Sequence, residues 1–410
     1  MKRYLYKDIY KRLNDKQFII LTGPRQVGKT TLLKQMYDEL SVQYNMTFYI
    51  NLEEPGIYNL LNEHPENLFK YVSKPPDRVS DVSEKFYVFI DEIQYLKNPS
   101  NFLKYNYDFY ADTLKLIVTG SSAFYIDTKF KDSLAGRKWL FQMYSLSFEE
   151  FLEFRGHENL LSELKRIRFN KELFSVHKRE LFSLLDEYIS YGGYPAVVLT
   201  KDIEEKKEIL KELVHTYLKR DMMESGILSE DRMYKLLSLL AHNTGGLLNN
   251  NSLAKILDVS PHTVENYVTT LRKCFQIQTI KPYFTNIGKS LRKMPKFYFN
   301  DTGFRNLLLN DFRNISVRQD KGFLFENYAY IRFRDNFDTD RIYFWRTSDG
   351  NEIDFIIEDM FRQGNAFEIK FDGREFKKDK YRKFLKSFPD FNIDCVSYNG
   401  ENNTYSGVNI

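Results

Sequence analysis

The sequence predicts an α/β chain that opens with a parallel sheet, continues through a helical stretch and closes with a second α/β region. Three observations predict it. A short apolar strand at residues 17–22 runs into a glycine loop and then a helix. A second apolar run, residues 86–90, ends in Asp91-Glu92, as strands buried on both faces of a parallel sheet do. In the last third, the strand after a turn at Asp349-Gly350 carries Asp354, and a further strand at residues 366–370 carries Glu368.

Length and composition bound the reading. The 410 residues imply several domains at roughly 100–200 residues each. With 42% hydrophobic and 28% charged residues, disorder and fibrous classes are excluded over most of the length. The net charge of +4 does not identify a nucleic-acid partner, although local basic patches can. Two distant cysteines, Cys274 and Cys395, exclude a disulfide scaffold and suit a reducing compartment. The polar start and the lack of any apolar run near about 18 residues lead to the expectation of a cytoplasmic protein.

The first element is Gly23-Pro24-Arg25-Gln26-Val27-Gly28-Lys29-Thr30, which fits the G-x4-G-K-[ST] phosphate-binding loop between strand and helix. Glycines let the backbone wrap so that successive N–H groups face phosphate oxygens, and the helix beginning at Lys29 adds its positive dipole end. Lys29 is expected at the β- and γ-phosphates, with Thr30 on Mg²⁺ and Thr31 beside it. ATP and Mg²⁺ are therefore the expected cofactors. Asp91, at the C-terminal end of its strand, is the expected partner of the ion through water. Glu92 is placed as the general base for the attacking water.

A third strand, residues 115–119, ends in Gly120-Ser121-Ser122. Thr119 or Ser121 could act as a polar sensor between water and the γ-phosphate, and a plain strand-to-turn junction explains Thr119 as well. Residues 48–52 and 139–146 complete an expected five-stranded nucleotide-binding sheet.

These motifs, with Phe89-Ile90-Asp91-Glu92-Ile93-Gln94, Leu134-Ala135-Gly136-Arg137, residues 146–151 (Leu-Ser-Phe-Glu-Glu-Phe) and Tyr191-Gly192-Gly193-Tyr194-Pro195, resemble an AAA-type P-loop NTPase. The chain is similar, over nearly its whole length, to the bacterial and archaeal ATPases that carry a C-terminal domain of unknown function. The resemblance implies a P-loop sheet and a C-terminal domain similar to the restriction-endonuclease-like fold; with the lid and wing read from the residues below, the expected fold is a P-loop sheet with a helical lid, then a winged helix and a restriction-endonuclease-like α/β domain. The resemblance also implies a Leu-Ala-Gly-Arg turn at Arg137. An arginine finger stabilising transition-state charge, within the chain or from a neighbour, is one role for Arg137; a structural ion pair is the other. The expected parts are residues 1–147 as ATPase core, 148–225 as lid, 226–300 as winged helix and 301–410 as nuclease-like domain.

The middle reads as helical, interrupted by the Gly192-Gly193-Tyr194-Pro195 breaker, with an amphipathic helix at 211–223. Residues 234–240, 252–257 and 261–274 have helix–turn–helix spacing, Ser260 capping the last helix and Pro261 in its first turn. His262, Thr263, Asn266 and Lys273 lie on that helix. Strands at 275–280 and 296–299 with a turn near Gly288 read as a wing, made basic by Lys289, Arg292, Lys293 and Lys296. DNA contact and protein packing are both open, since basic groups position a phosphate backbone without reading sequence.

In the last third, Glu326 falls on a helix, Asp354 on one strand, and Glu368 and Lys370 on the next, where they share a face. This is the Asp…Glu-x-Lys arrangement of the nuclease fold. The two carboxylates could share a metal ion, with Glu326 completing the shell and Lys370 beside the attacking water. A working nuclease, a nucleic-acid-binding relic and a scaffold all fit. Basic residues Arg374, Lys377, Lys378, Lys380, Arg382, Lys383 and Lys386 follow, either a phosphate-backbone contact or a solvated helix face. The leading expectation is Mg²⁺-dependent ATP hydrolysis that switches a DNA-binding protein. The alternatives are an ATP-gated DNA endonuclease and a nucleotide-dependent protein-interaction module.

Overall fold

The computed structural model describes residues 1–410 apart from 45, 76–84, 121–133, 169–170, 172–174, 222–228, 285–292, 348, 361–362 and 402. Ser121, Gly288, Lys289 and Arg292 lie outside the described residues. Two compact units emerge: Met1–Tyr144 with Lys273–Phe275, and Ser145–Arg272 with Gln276–Ile410.

The first unit is built on strands β1 (Phe18–Thr22), β2 (Thr47–Asn51), β3 (Phe86–Asp91), β4 (Leu114–Gly120) and β5 (Lys138–Gln142), in the order β2-β3-β4-β1-β5. All neighbours run parallel. Every residue of β1, β3 and β4 is buried, which is why these segments read as unbroken apolar runs rather than alternating ones. Among the described residues its helices are α1 (Leu5–Tyr10), α2 (Lys29–Gln43), α3 (Pro55–Glu63) and α4 (Pro99–Tyr110). The helix α4 begins as its sequence dictates: Asn98 accepts the Asn101 N–H, and Pro99 occupies the first turn. Central strand β4 carries a buried lysine, Lys115, whose ammonium donates to the carbonyls of Arg12 (2.7 Å), Asp15 (2.8 Å) and Gln17. A buried charge is tolerable when its donors are satisfied in this way, and here it fastens the segment before β1 to the sheet.

The second unit begins with helices α5 (Phe148–Phe154), α6 (Glu158–Ile167), α7 (Lys178–Tyr191), α8 (Pro195–Leu199) and α9 (Ile203–Thr216). Ser147 and Glu150 form a reciprocal capping box at the start of α5. The expected helix at 211–223 is, as far as residue 221, the end of α9 followed by a π-turn, Tyr217–Asp221, with 222–223 outside the described residues. Helices α10 (Glu230–His242), α11 (Asn250–Leu257) and α12 (Pro261–Lys273) follow, then α13 (Thr302–Leu309), α14 (Lys321–Asn336) and α15 (Arg382–Ser387). Strands β6 (Ile277–Pro282), β7 (Lys296–Phe299), β8 (Ile342–Arg346), β9 (Glu352–Met360), β10 (Gln363–Lys370), β11 (Phe391–Ser397) and β12 (Tyr405–Ser406) form one sheet, ordered β12-β11-β10-β9-β8-β6-β7. The hairpin read as a wing is thus the edge of this larger sheet. The end of β6 pairs with β8, Lys281 opposite Tyr343, because its last two residues run past the partner strand β7.

The glycine breaker is a packing junction. Gly192 ends α7 at φ +77°, and a Cβ there would meet Asp301 Oδ1 at 2.1 Å. Asp301 accepts the Gly193 N–H at 2.8 Å and caps α13 through Phe304 N–H at 3.0 Å. One carboxylate therefore ties the helical segment to the strand β7–helix α13 corner, and no side chain fits between.

Helix α14 packs across the sheet through Phe333, 5.3 Å from the Phe355 ring and 5.0 Å from Phe367. Its buried Arg332 donates to both carboxylate oxygens of Glu149 and to the Ile410 carbonyl. Burial alone would raise the Glu149 carboxyl, but the Arg332 guanidinium holds it down at about 2. The folded carboxyl resists protonation more than the unfolded one, so its stabilisation is complete above 4.5 and is lost as pH falls toward 2. Glu149→Gln is expected to cost about 3–5 kcal/mol by leaving Arg332 uncompensated. Urea titrations at pH 7 and pH 3.5 measure this, and the wild-type–variant gap should narrow at the lower pH.

Candidate functional site

The phosphate loop lies at the C-terminal end of β1. Gly23 sits at φ +155°, and a Cβ there would lie 2.0 Å from the Met143 carbonyl oxygen, so only glycine lets the loop pass the segment after β5. Gly28, at φ +96°, is the left-handed residue from which α2 starts. No side chain caps that helix, leaving its first N–H groups directed into the loop. Lys29 is buried, and its ammonium donates to the carbonyls of Gly23 (2.9 Å) and Pro24 (2.7 Å). Thr30 is half-buried at the next position, while Thr31 is exposed. Arg3, which the sequence reading passed over, braces the loop by donating to the carbonyls of Val27 and Tyr144, each at 2.9 Å.

The parallel register carries the acids to the same end of the sheet. Ile90 is opposite Val118, and Thr22 is opposite Gly120, so Asp91, Thr119 and the loop emerge together. Buried Asp91 accepts from two hydroxyls, Thr119 at Oδ1 and Tyr49 at Oδ2 (3.0 Å). Thr119 also accepts the Glu92 N–H at 3.0 Å. Its single hydroxyl therefore joins the two acidic positions. Glu92 itself is left-handed, φ +59°, a conformation rare for a non-glycine residue and concentrated at functional sites. Its carboxylate accepts from the Gln94 amide. Burial and the Asp91 charge push the Tyr49 hydroxyl well above its ordinary range, so Tyr49 stays a donor. Tyr49 had no motif to mark it, and Gln94 closes the Phe89–Gln94 run without a role assigned to it there.

Arg137 is not brought to the loop. Its carbonyl accepts the Phe18 N–H at 3.0 Å, at the opposite end of β1, and a five-residue strand separates the ends by about 13 Å. Its side chain pairs with Asp108 at 2.8 Å. A finger acting on its own chain's phosphate site is therefore at odds with the fold.

The C-terminal candidates do converge, in the second unit. Asp354 on β9 lies opposite Glu368 on β10, one step beyond the Phe367–Phe355 pair. Asp354 accepts the Ile369 N–H at 2.9 Å, and Lys370 donates to Glu368 at 2.6 Å. Glu326 projects from α14 and accepts from the Tyr298 hydroxyl at 2.7 Å. Burial pushes both the Glu326 and Glu368 carboxyls upward.

Lys296 requires a correction. Read as a basic residue of the wing, it is 3% exposed, and its ammonium lies 3.0 Å from Glu326, 2.5 Å from Glu352 and 3.3 Å from Asp354. Burial opposes its charge, yet the surrounding carboxylates more than offset that and hold it protonated well above the usual lysine range. Among the described residues, no three His, Cys, Asp or Glu side chains are arranged to hold a metal ion.

On helix α12, Ser260 caps through the Thr263 N–H at 3.0 Å, as its sequence predicts. His262, Asn266 and Arg272 are exposed there, together with the acidic Glu265. In the C-terminal basic stretch, Lys377, Lys378, Lys380 and Lys386 are exposed, while Arg374, Arg382 and Lys383 pair with Asp372, Asp379 and Asp349. Both cysteines are buried thiols. No helix among the described residues is long and apolar enough to cross a membrane.

Comparison with known proteins finds three family models along the chain. Residues 15–152 match the model of an AAA domain, 182–314 that of a domain of unknown function (DUF8612), and 321–409 that of another (DUF4143). An uncharacterized protein of Methanocaldococcus jannaschii is 25% identical over 97% of this chain and 86% of its own length. One from Mycobacterium tuberculosis is 25% identical over 86% of this chain and 70% of its own. Among solved structures, Drosophila ORC bound to DNA covers 71% of this chain and 90% of its own, at 11% identity and a TM-score of 0.33. The replication initiator DnaA bound to AMPPCP and single-stranded DNA covers 66% and 88%, at 13% identity and a TM-score of 0.32. With its parallel sheet, phosphate loop and match to the AAA model, the N-terminal third of this chain is an AAA-type P-loop NTPase domain.

Proposed function

We propose that this chain is a Mg²⁺-dependent ATPase whose nucleotide state changes how it holds DNA. The observation that carries the reading is the Thr119 hydroxyl, which links the Asp91 carboxylate to the Glu92 backbone at the sheet end that bears Lys29. The loop residues fit a triphosphate: uncapped N–H groups at the start of α2, a buried lysine, and a glycine where a Cβ would collide. Thr30 and Asp91 would hold Mg²⁺, which supplies charge neutralisation at the phosphates. Lys29 adds a second positive charge there. Glu92 takes the proton of the attacking water as the bond between the γ-phosphorus and the bridging oxygen breaks, releasing ADP and phosphate. Asp91 is oriented by Tyr49 and Thr119, which fixes the acid before nucleotide arrives.

Residues 1–147 serve here as the ATPase core, 148–225 as its helical lid, 226–300 as a winged-helix-like reader and 301–410 as a nuclease-like platform. Exposed His262, Asn266 and Arg272 on α12, with Lys293 and the lysines after Lys370, support phosphate-backbone contact. Arg137 enters this reading only as a finger offered to a neighbouring copy.

A second reading, an ATP-gated endonuclease, is favoured by the adjacency of Asp354, Glu368 and Lys370 on β9 and β10. The placement of Lys296 weighs against it.

Steady-state ATP hydrolysis with and without duplex or single-stranded DNA tests the proposal. Wild-type turnover should require Mg²⁺, rise with DNA and vanish in Lys29→Ala. A Lys29→Ala protein that hydrolyses ATP at the wild-type rate would place the site elsewhere, and turnover indifferent to DNA would redirect the search to protein partners. Thr119→Val is expected to lower kcat by up to about 100-fold, the scale of a misplaced catalytic group, with ATP affinity unchanged.

A further inference from the structure

The Asp…Glu-x-Lys arrangement implies a divalent cation between Asp354, Glu368 and the helix-borne Glu326, and the residues present do not fit one. We infer that the Lys296 ammonium occupies the cation position beside Glu326 and Asp354 in this carboxylate cluster, so that the native chain excludes a divalent metal there and the C-terminal site is a metal-free one filled by lysine.

Geometry carries this. Lys296 Nζ lies within 3.3 Å of oxygens from three carboxylates that come from α14 and β9. Mg²⁺ binds carboxylate oxygens at about 2.0–2.1 Å and demands near-octahedral room, and an ammonium within 3.3 Å of both Glu326 and Asp354 takes that volume on their side of the cluster. The second cation is also in place, since Lys370 is paired with Glu368 at 2.6 Å. Arg346 completes the set from the rim, 3.2 Å from the remaining oxygen of Glu352. Four carboxylates thus face three cations, and a dication added beside Lys296 would meet strong like-charge repulsion at short range in a buried site.

The described residues enclose the lysine. It starts β7, paired to Ile280 of β6 on one side and bridged to Leu247 on the other. Its side chain is 3% exposed, and the Phe344 ring lies 5.8 Å from its ammonium. Gly245 closes the cluster from the side, where a Cβ would come within 2.9 Å of Glu326 Oε1. Displacing Lys296 means opening the sheet edge rather than rotating a surface side chain. The edge hairpin is accordingly an internal component of the C-terminal site, and the cluster holds hairpin, helix and sheet together.

The test is Mn²⁺ binding without nucleotide, by calorimetry and by thermal shift, on wild type, Asp354→Asn, Lys296→Met and the double variant. Wild type and Asp354→Asn should give the same Mn²⁺ isotherm, because nothing binds at Asp354. Lys296→Met should melt lower than wild type, bind about one additional Mn²⁺ per chain and recover part of its lost Tm in Mn²⁺. The double variant should lose both effects. A saturable Mn²⁺ site in wild type that disappears in Asp354→Asn would overturn the inference. So would a folded Lys296→Met that gains no site. If Lys296→Met does not fold, the wild-type–Asp354→Asn comparison decides alone. The nucleotide site is not probed by these outcomes, so the ATPase proposal stands or falls separately.

Discussion

The constraint on which the nucleotide site depends is the parallel register of β1, β3 and β4. Their pairing brings three segments distant in sequence to one edge, and only there can the Thr119 hydroxyl reach both Asp91 and the Glu92 N–H. The strand carrying Thr119 lies between the strand of the loop and the strand of the acids. A hydroxyl in that place touches both acidic positions without a long side chain. The left-handed Glu92 is a consequence: the chain must turn directly after Asp91 for the N–H to face Thr119. A one-residue slip in any strand would send these groups to the wrong face.

The second unit is organised by buried cations rather than by apolar contact alone. Arg332 joins Glu149 to the Ile410 carbonyl, and Lys296 gathers carboxylates from α14 and β9. Such groups add little net stability compared with well-packed apolar residues, but removing one partner is costly. Their effect is to specify arrangement. Arg332 ties α5 to α14, and Lys296 ties β7 to α14 and β9. Charge satisfied internally in this way is not offered to an outside partner, whereas Lys377, Lys378, Lys380 and Lys386 stay at the surface.

Much of this was legible in the sequence, for physical reasons. Buried parallel strands write themselves as apolar runs, so β1, β3 and β4 were placed within a residue or two. The phosphate loop needs glycine at both ends for steric reasons visible at Gly23 and Gly28. Ser260 and Pro261 announced the start of α12. What stayed hidden depends on partners far along the chain. Lys296 looks like any wing lysine until β7 is set against α14 and β9. Its one local sign was its place at the head of an aromatic strand, Lys296-Phe297-Tyr298-Phe299, where every residue is buried. Arg137 sits in a recognisable turn, yet only strand pairing reveals that the turn is at the far end of the sheet. Arg3, Tyr49 and Arg332 belong to no short motif, and their roles exist only through contacts with residues many positions away.

The most direct test of the account is the Mg²⁺ dependence of ATP binding in wild type and Asp91→Asn, followed by fluorescence of a labelled ATP analogue at equilibrium. The arrangement of Asp91 predicts that Mg²⁺ tightens binding to wild type and that this increment is lost in the variant, while metal-free binding through the loop persists. An Asp91→Asn protein that keeps the full Mg²⁺ increment would contradict it.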